Sequence, residues 1–348
     1  MNLSNSIRER KLNETLEAIK PYLEKAQITR LANLTYLDKL EMPVYTAIRP
    51  LAKALSVSQG KGISHNEAKV SAYMESIEVF FAENISPEIK SKTFSEDKNF
   101  LNPNLFNSKI IYDETIKHHW VKVSSFETNK GYYLPYQFYS IDTTDKQVCL
   151  HASDTTGLAS GNSYNEALTH SLFECIERKT TQNEKIKLNI KDFENKILIK
   201  LQKTHEVFLF TFKNNEFNLP VFGCFIKNKN PLSNQVIFAG YGCHSNKQIA
   251  LNRALTEAYQ SKLTIISGSR EDIFKNAYND EKVDFPVIKE TIDYQDIEDY
   301  SFNSTDDILN QIKISLKKAN YDALIYLYHQ EKLTVLKSIL VKKDYLDA

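Results

Sequence analysis

Glycine is scarce in this chain, with nine in 348 residues, where a typical soluble protein carries roughly 7%. Cysteine is scarcer still. The four present, Cys149, Cys175, Cys224 and Cys243, show no Cys-x-x-Cys spacing, which argues against a disulfide framework or a zinc ribbon and for reduced thiols in the cytoplasm. Neither sign of charge is in surplus, since 44 basic side chains balance 44 acidic ones. With no polybasic tract, neither nucleic acid nor an anionic membrane is an expected partner. No apolar run reaches the roughly 18 residues of a membrane span. Met1 to Arg10 is polar, without the apolar centre of a signal peptide. The common nucleotide signatures are missing too: Gly60-Lys61-Gly62 belongs to neither a GxxxxGK[ST] loop nor a GxGxxG turn.

What is there is concentrated. Six of the nine glycines, Gly60, Gly62, Gly157, Gly161, Gly240 and Gly242, fall just ahead of three similar segments. Each segment has a serine three residues before Glu or Gln (Ser64 and Glu67, Ser163 and Glu166, Ser245 and Gln248), the signature of a capping box. An apolar helix then starts at Ala68, Ala167 or Ala250. Seven residues beyond each alanine stands a glutamate, Glu75, Glu174 or Glu257, and three further on stands Glu78, Glu177 or Gln260. Glycine allows a ligand close to bare backbone, so its placement marks these turns as the expected ligand site.

Hydrophobic spacing predicts the remaining elements. An N-terminal helix, or a pair broken at Pro21, covers residues 6–26, and short strands lie at 43–47 and 55–57. The three helices run over about 65–83, to about 181, and over 247–266. Residues 84–115 read as polar and irregular. Strands are expected at 120–123, 132–139, 148–151, 206–212, 221–227 and 236–240. Residues 270–307 are acid-rich and read as a mobile surface excursion. A helix near 306–319 and strands at 323–328 and 333–341 close the chain. Strands interleaved with helices predict an α/β or α+β fold, and no linker divides it, so residues 1–348 are expected to form a single domain with a helical segment over 1–29.

Ser71, Glu75 and Glu78 recur at i, i+4 and i+7 and share one helix face. His170, Glu174 and Glu177 do the same, as do Arg253, Glu257 and Gln260. The other faces are apolar, so these helices are expected to be buried, and buried charge must be paired, hydrogen-bonded or metal-bound. A lone Glu-x-x-Glu is usually a solvated face. Two copies plus a Glu-x-x-Gln third, all behind glycine turns, point to a shared cation site. All-oxygen ligands favour Mg²⁺ or Ca²⁺ over zinc, and gathered Mg²⁺ commonly serves a phosphorylated nucleotide. Arg178, Arg253 and Lys61 are candidates for phosphate oxygens. No catalytic nucleophile or base stands out, since Cys175 reads as core.

In combination and in this order, Arg30 to Val44, Ser58 to Gly62, Glu75-Ser-Ile-Glu78, Gly157 to Asn162, Glu174-Cys-Ile-Glu-Arg178 and Arg253 to Gln260 resemble the YcaO family. The resemblance implies an ATP- and Mg²⁺-dependent enzyme of mixed α/β, YcaO-type fold, with three equivalent carboxylate-bearing helices around a nucleotide site. Such enzymes phosphorylate a peptide backbone amide oxygen, after which a nucleophile attacks the amide carbon to give an azoline or a thioamide. By matching position it implies Glu75, Glu78, Glu166, Glu174, Glu177 and Glu257 as Mg²⁺ ligands. It likewise implies Ser71, Asn162, Arg178, Arg253 and Gln260 as contacts to nucleotide or phosphate. It implies a homodimer, a peptide or protein substrate, and a separate partner of TfuA-like or E1-like, leader-binding type. Two other readings remain open at this point: a non-catalytic scaffold of the same family and a Mg²⁺-dependent phosphohydrolase.

Overall fold

A computed structural model describes residues 6–106, 113–145, 154–190, 193–230, 236–271 and 284–346. Three antiparallel-dominated sheets organise them. The first is a meander of β1 (Arg30–Asn33), β2 (Val44–Ile48) and β3 (Val57–Lys61), with Tyr45 opposite Gly60. The second orders β4 (Ile89–Lys92), β5 (His118–Ser125), β13 (Tyr321–Gln330), β14 (Thr334–Lys342) and β7 (Leu158–Gly161), with β6 (Gly131–Pro135) also paired to β5. The third orders β11 (Phe238–Cys243), β10 (Val221–Asn228), β9 (His205–Phe212), β8 (Lys185–Asn189) and β12 (Thr291–Asp293). Among the described strands, β12 pairs in parallel with β8. No helix among the described residues is long and apolar enough to cross a membrane.

Among the described residues, six α-helices pack between and around these sheets. The expected N-terminal helix is α1 (Leu12–Lys25), shorter than its apolar spacing suggested because residues 6–10 are irregular, with bends at 6, 9 and 10. Pro21 does not break it. A proline there removes the bond to the carbonyl of Glu17, and Glu17 is exposed, so water can take that carbonyl. The three patterned helices are α2 (His65–Glu83), α3 (Tyr164–Thr180) and α5 (Lys247–Ser267). A short α4 (Lys196–Gln202), which the spacing did not announce, is capped by Asn195. The last is α6 (Thr305–Lys318).

The core follows the apolar faces. Val70, Met74 and Ile77 of α2 pack with Ile19 and Tyr22 of α1. Leu168, Leu172 and Phe173 of α3 pack with Phe210, Phe212 and Ile312. Leu251, Leu255, Tyr259 and Leu263 of α5 pack with Phe222 and Ile226. Burying such side chains removes about 1.5–3 kcal/mol of unfavourable hydration each. The far end of α2 is pinned by a buried ion pair, Arg49 to Glu83 at 2.7 Å, with Arg49 also donating to the carbonyl of Ala26.

Several expectations need correction. Residues 136–138 form a 3₁₀ turn after Pro135 and do not extend β6. The irregular stretch after α2 contains β4. Leu158 to Gly161, read as a turn, is strand β7. The strand expected at 148–151, with Cys149, lies outside the described residues. Part of the acid-rich segment also lies outside them, but its described half is tied down: β12 joins a sheet, Tyr294 is buried, and Lys247 donates to the carbonyls of Tyr294, Gln295 and Ile297. Cys175, Cys224 and Cys243 are free and buried.

Candidate active site

Each patterned helix belongs to a different sheet. β3, β7 and β11 each lie at the end of their sheet, and α2, α3 and α5 fold back on them in turn. The glycines have a different job from the one expected. A Cβ on Gly60 would lie 2.0 Å from the backbone nitrogen of Ala72 and 2.2 Å from the carbonyl oxygen of Ala68. Gly240 meets Ala258 and Ala254 in the same way, Gly242 meets Ala250, and Gly161 meets Ala167. Glycine on the strand and alanine on the helix let the two backbones touch. The scarce glycines therefore serve helix-to-strand packing and do not expose backbone to a ligand.

The same close packing brings the helices together. Each also rests on the end strand of the next unit: α2 on β7, α3 on β11 and α5 on β3, which closes a ring. Polar side chains seal the joints. Ser160 Oγ of β7 donates to Glu78 at 2.5 Å. Gln260 Nε2 donates to the carbonyl of Gln59 on β3 at 2.9 Å, and Lys61 Nζ of β3 lies 2.6 Å from Glu257.

Inside the ring is a cavity of about 850 Å³. Of the residues singled out by sequence, Lys61, Ser71, Glu75, Glu78, Glu174, Glu177, Arg178, Arg253, Glu257 and Gln260 line it. Glu166 and Asn162 are not among its lining residues. They are buried at the start of α3, where Asn162 Nδ2 donates to both carboxylate oxygens of Glu166 at 3.0 Å. The capping boxes are only half formed. Ser64 and Ser163 cap through their hydroxyls, but Glu67 accepts from the N–H of Ile63, and Glu166 accepts from Asn162 and from the N–H of Glu9. In the third unit Asn246, one residue after Ser245, is the cap and accepts from Gln248 and Ile249.

The carboxylates feel each other and their burial. Burial, then mutual repulsion, raises Glu78 to about 8. Glu75, Glu174 and Glu177 are raised to about 7, burial again being the main cause, with Glu257 adding to each. Glu257 itself goes the other way: against the upward push of burial, Lys61, Arg178 and Arg253 hold it below its ordinary range. Arg178 stands 3.8 Å from Glu174. Burial together with Arg8 and Arg253 lowers His170 to about 3, so it is neutral.

Among the residues at the cavity that escaped the list of candidates drawn from sequence are Arg8, Ser160, His170 and Arg270. His170 carried a signal, its place on the glutamate face of α3. Arg8, Ser160 and Arg270 carried none, because they reach the cavity from outside the three helices.

The donor set fits divalent cations held with a polyphosphate better than a cation held by protein alone. Among the described residues, no three His, Cys, Asp or Glu side chains close on one ion. Mg²⁺ rarely asks for that, taking one or two carboxylates and filling its octahedron with phosphate oxygens and water. The crowded carboxyl groups provide the acidic wall. Arg253 Nε, buried and without a hydrogen-bond partner among the described residues, is a donor suited to an anion.

Comparison with known proteins agrees in family and fold. A family model described as YcaO cyclodehydratase, ATP- and Mg²⁺-binding, matches residues 59–339. An uncharacterized protein of Mycobacterium tuberculosis is 32% identical over 280 residues, covering 77% of this chain and 64% of that one. This chain thus spans a little under two thirds of that relative's length. A protein of Rhizobium leguminosarum bv. trifolii, named for lying in a tfuA 3′ region, is 30% identical over 290 residues, covering 76% of this chain and 69% of its own. The structure of YcaO from Methanopyrus kandleri bound with AMPPCP and Mg²⁺ superposes with a TM-score of 0.74 at 18% identity, covering 99% of this chain and 94% of that one. The likeness is one of fold, a YcaO-type mixed α/β architecture.

Proposed function

This chain belongs to the YcaO family, and from that premise we propose that it activates a peptide backbone amide at the expense of ATP with Mg²⁺. The observation that carries the reading is the convergence of five glutamates, from helices of three separate sheets, on one cavity that also holds Arg178, Arg253 and Lys61. Bound there, Mg·ATP supplies the phosphoryl group that turns an amide oxygen, a poor leaving group, into a good one. Phosphoryl transfer asks the protein for positioning and charge neutralisation. Glu75, Glu78, Glu174, Glu177 and Glu257 hold the cations, and Glu166 joins them from the start of α3. Arg178, Arg253 and Lys61 neutralise phosphate oxygens. Ser71 and Gln260 orient the nucleotide by hydrogen bonds, and Asn162 acts through Glu166, to which its amide donates. The nucleophile that then attacks the amide carbon comes from the peptide or from a sulfur donor, giving an azoline or a thioamide.

Every one of the three sheets contributes one helix to the cavity, which supports treating the chain as one catalytic domain. The relative named for its tfuA neighbourhood supports a TfuA-like partner and, with it, the thioamide. An E1-like or leader-binding partner goes with the azoline. A homodimer in a reducing cytoplasm completes the reading. The test is calorimetry of the purified chain with ATP and Mg²⁺. Saturable binding is expected in the wild type, and none in Glu174→Ala or Glu257→Ala. If the wild type binds no nucleotide, or both variants bind it as the wild type does, the reading is wrong.

A further inference from the structure

Glu166 is a carboxylate whose counter-ion comes from far away in sequence. Its side chain is 1% exposed, and the Arg8 guanidinium lies 3.8 Å from it. The backbone N–H of Glu9 donates to its other oxygen at 3.1 Å. The segment carrying these groups is fastened at several points. Thr305 donates to the Glu9 carboxylate, Arg10 donates to the carbonyl of Lys332 at 2.8 Å, and Ile7 packs against the core beside α6. Thr15 Oγ1, in the first turns of α1, donates to the side-chain Oδ1 of Asn162 at 2.9 Å, which turns the Asn162 Nδ2 toward Glu166. Arg8 also faces the main cavity, alongside Glu67 and Arg253.

We propose that residues 6–10 form a strap whose Arg8 is the resident counter-ion of Glu166, so that strap docking and divalent-cation binding at Glu166 exclude one another. The proposal rests on the reading of Glu166 as a metal ligand. A cation can reach a carboxylate that is 1% exposed only by displacing what covers it. A guanidinium already in place also repels an incoming cation at this distance. Release of Glu166 leaves Arg8 at the cavity wall, free to turn its charge toward a bound anion. Metal entry and the position of the chain's N-terminal end are thereby linked.

The full chain is titrated with Mn²⁺, free ion being read by electron paramagnetic resonance, and trypsin cleavage after Arg8 and Arg10 is followed by mass spectrometry. Without nucleotide, Arg8→Gln is expected to bind Mn²⁺ about tenfold more tightly than the wild type, and Arg8→Lys to behave like the wild type. Saturating Mn²⁺ should speed cleavage of the wild-type strap several-fold, and Glu166→Gln should be cleaved at that faster rate without metal. Equal Mn²⁺ affinity in wild type and Arg8→Gln, with loss of one bound Mn²⁺ in Glu166→Gln, would overturn the strap and leave the ligand reading intact. Unchanged Mn²⁺ stoichiometry in Glu166→Gln would overturn both. Should Arg8→Gln not fold, the wild-type cleavage rate with and without Mn²⁺ decides alone, and no change in that rate overturns the proposal.

Discussion

The cavity has two unlike walls. On the side of α2 and α3, Glu75, Glu78, Glu174 and Glu177 crowd together, and burial outweighs the cations near them, Arg270 and Lys61 for Glu75 and Arg178 and Arg253 for Glu174 and Glu177. All four carboxyls are pushed up to between about 7 and about 8. On the side of α5, Glu257 sits 2.6 Å from Lys61 and is held low, and the second carboxylate of the pattern has become Gln260. The repeated helix is thus used in two ways. Two copies crowd buried carboxyls that are pushed up despite nearby cations, and the third copy is held low by Lys61, Arg178 and Arg253. Under the proposed function, metal belongs at the α2–α3 seam and the anion beside α5.

Removing charge at the seam gives the largest effect. Glu78→Gln and Glu177→Gln should each weaken Mg²⁺-dependent nucleotide binding by about a hundredfold or more. Above about pH 8, where the buried carboxyls are ionised, the same substitutions should raise the melting temperature of the metal-free protein. Calorimetry and thermal melts read the two effects, and a variant that loses both binding and stability would erase the distinction between the walls.

The next test is pH. Each of the four raised carboxyls holds its proton in the folded chain at pH values where the unfolded chain has released it. Folding therefore binds protons, and stability from these groups is fully present below the unfolded value of about 4.5 and is lost as pH rises through about 7 to 8. The melting temperature of the metal-free protein should fall between pH 5 and pH 8, within the range spanned by those values. Saturating Mg²⁺ should flatten that slope. A melting temperature that rises over this interval would contradict the account.

Smaller effects are expected from the α5 wall. Lys61→Met leaves Glu257 with Arg253 and Arg178 as its remaining cations, and nucleotide affinity should fall about tenfold or less, as befits a part-exposed pair. Lys61→Arg should restore most of it. Gln260→Glu is the mildest. It makes the third helix like the other two but loses the bond to the Gln59 carbonyl, and about 1 kcal/mol of stability should go with it. If Gln260→Glu instead adds a bound Mn²⁺, the two walls are interchangeable.

Much of this was legible in the sequence, for physical reasons that also explain what was not. The spacing of Ala68 to Glu75, Ala167 to Glu174 and Ala250 to Glu257 is local and periodic, so the three helices and their shared faces follow from it. Register between distant strands is not local. Nothing in the letters says that β3, β7 and β11 end three different sheets, nor that residues 6–10 cover Glu166. The glycines marked the right places for the wrong reason, because a glycine against a helix and a glycine against a ligand look the same in one sequence. The shift of the third cap from Ser245 to Asn246 turns on one extra residue, where two good capping side chains stand side by side.

The end position of β3, β7 and β11 in their sheets has a further consequence. An uncovered strand edge invites pairing with another chain and so aggregation. Here each of the three is sheltered by the helix of a neighbouring unit, and Glu78, Lys61 and Gln260 take part in that shelter. The walls of the cavity are therefore also what keeps three sticky edges out of solution. The same side chains serve both, and variants that pry the ring open should precipitate as well as fail to bind nucleotide.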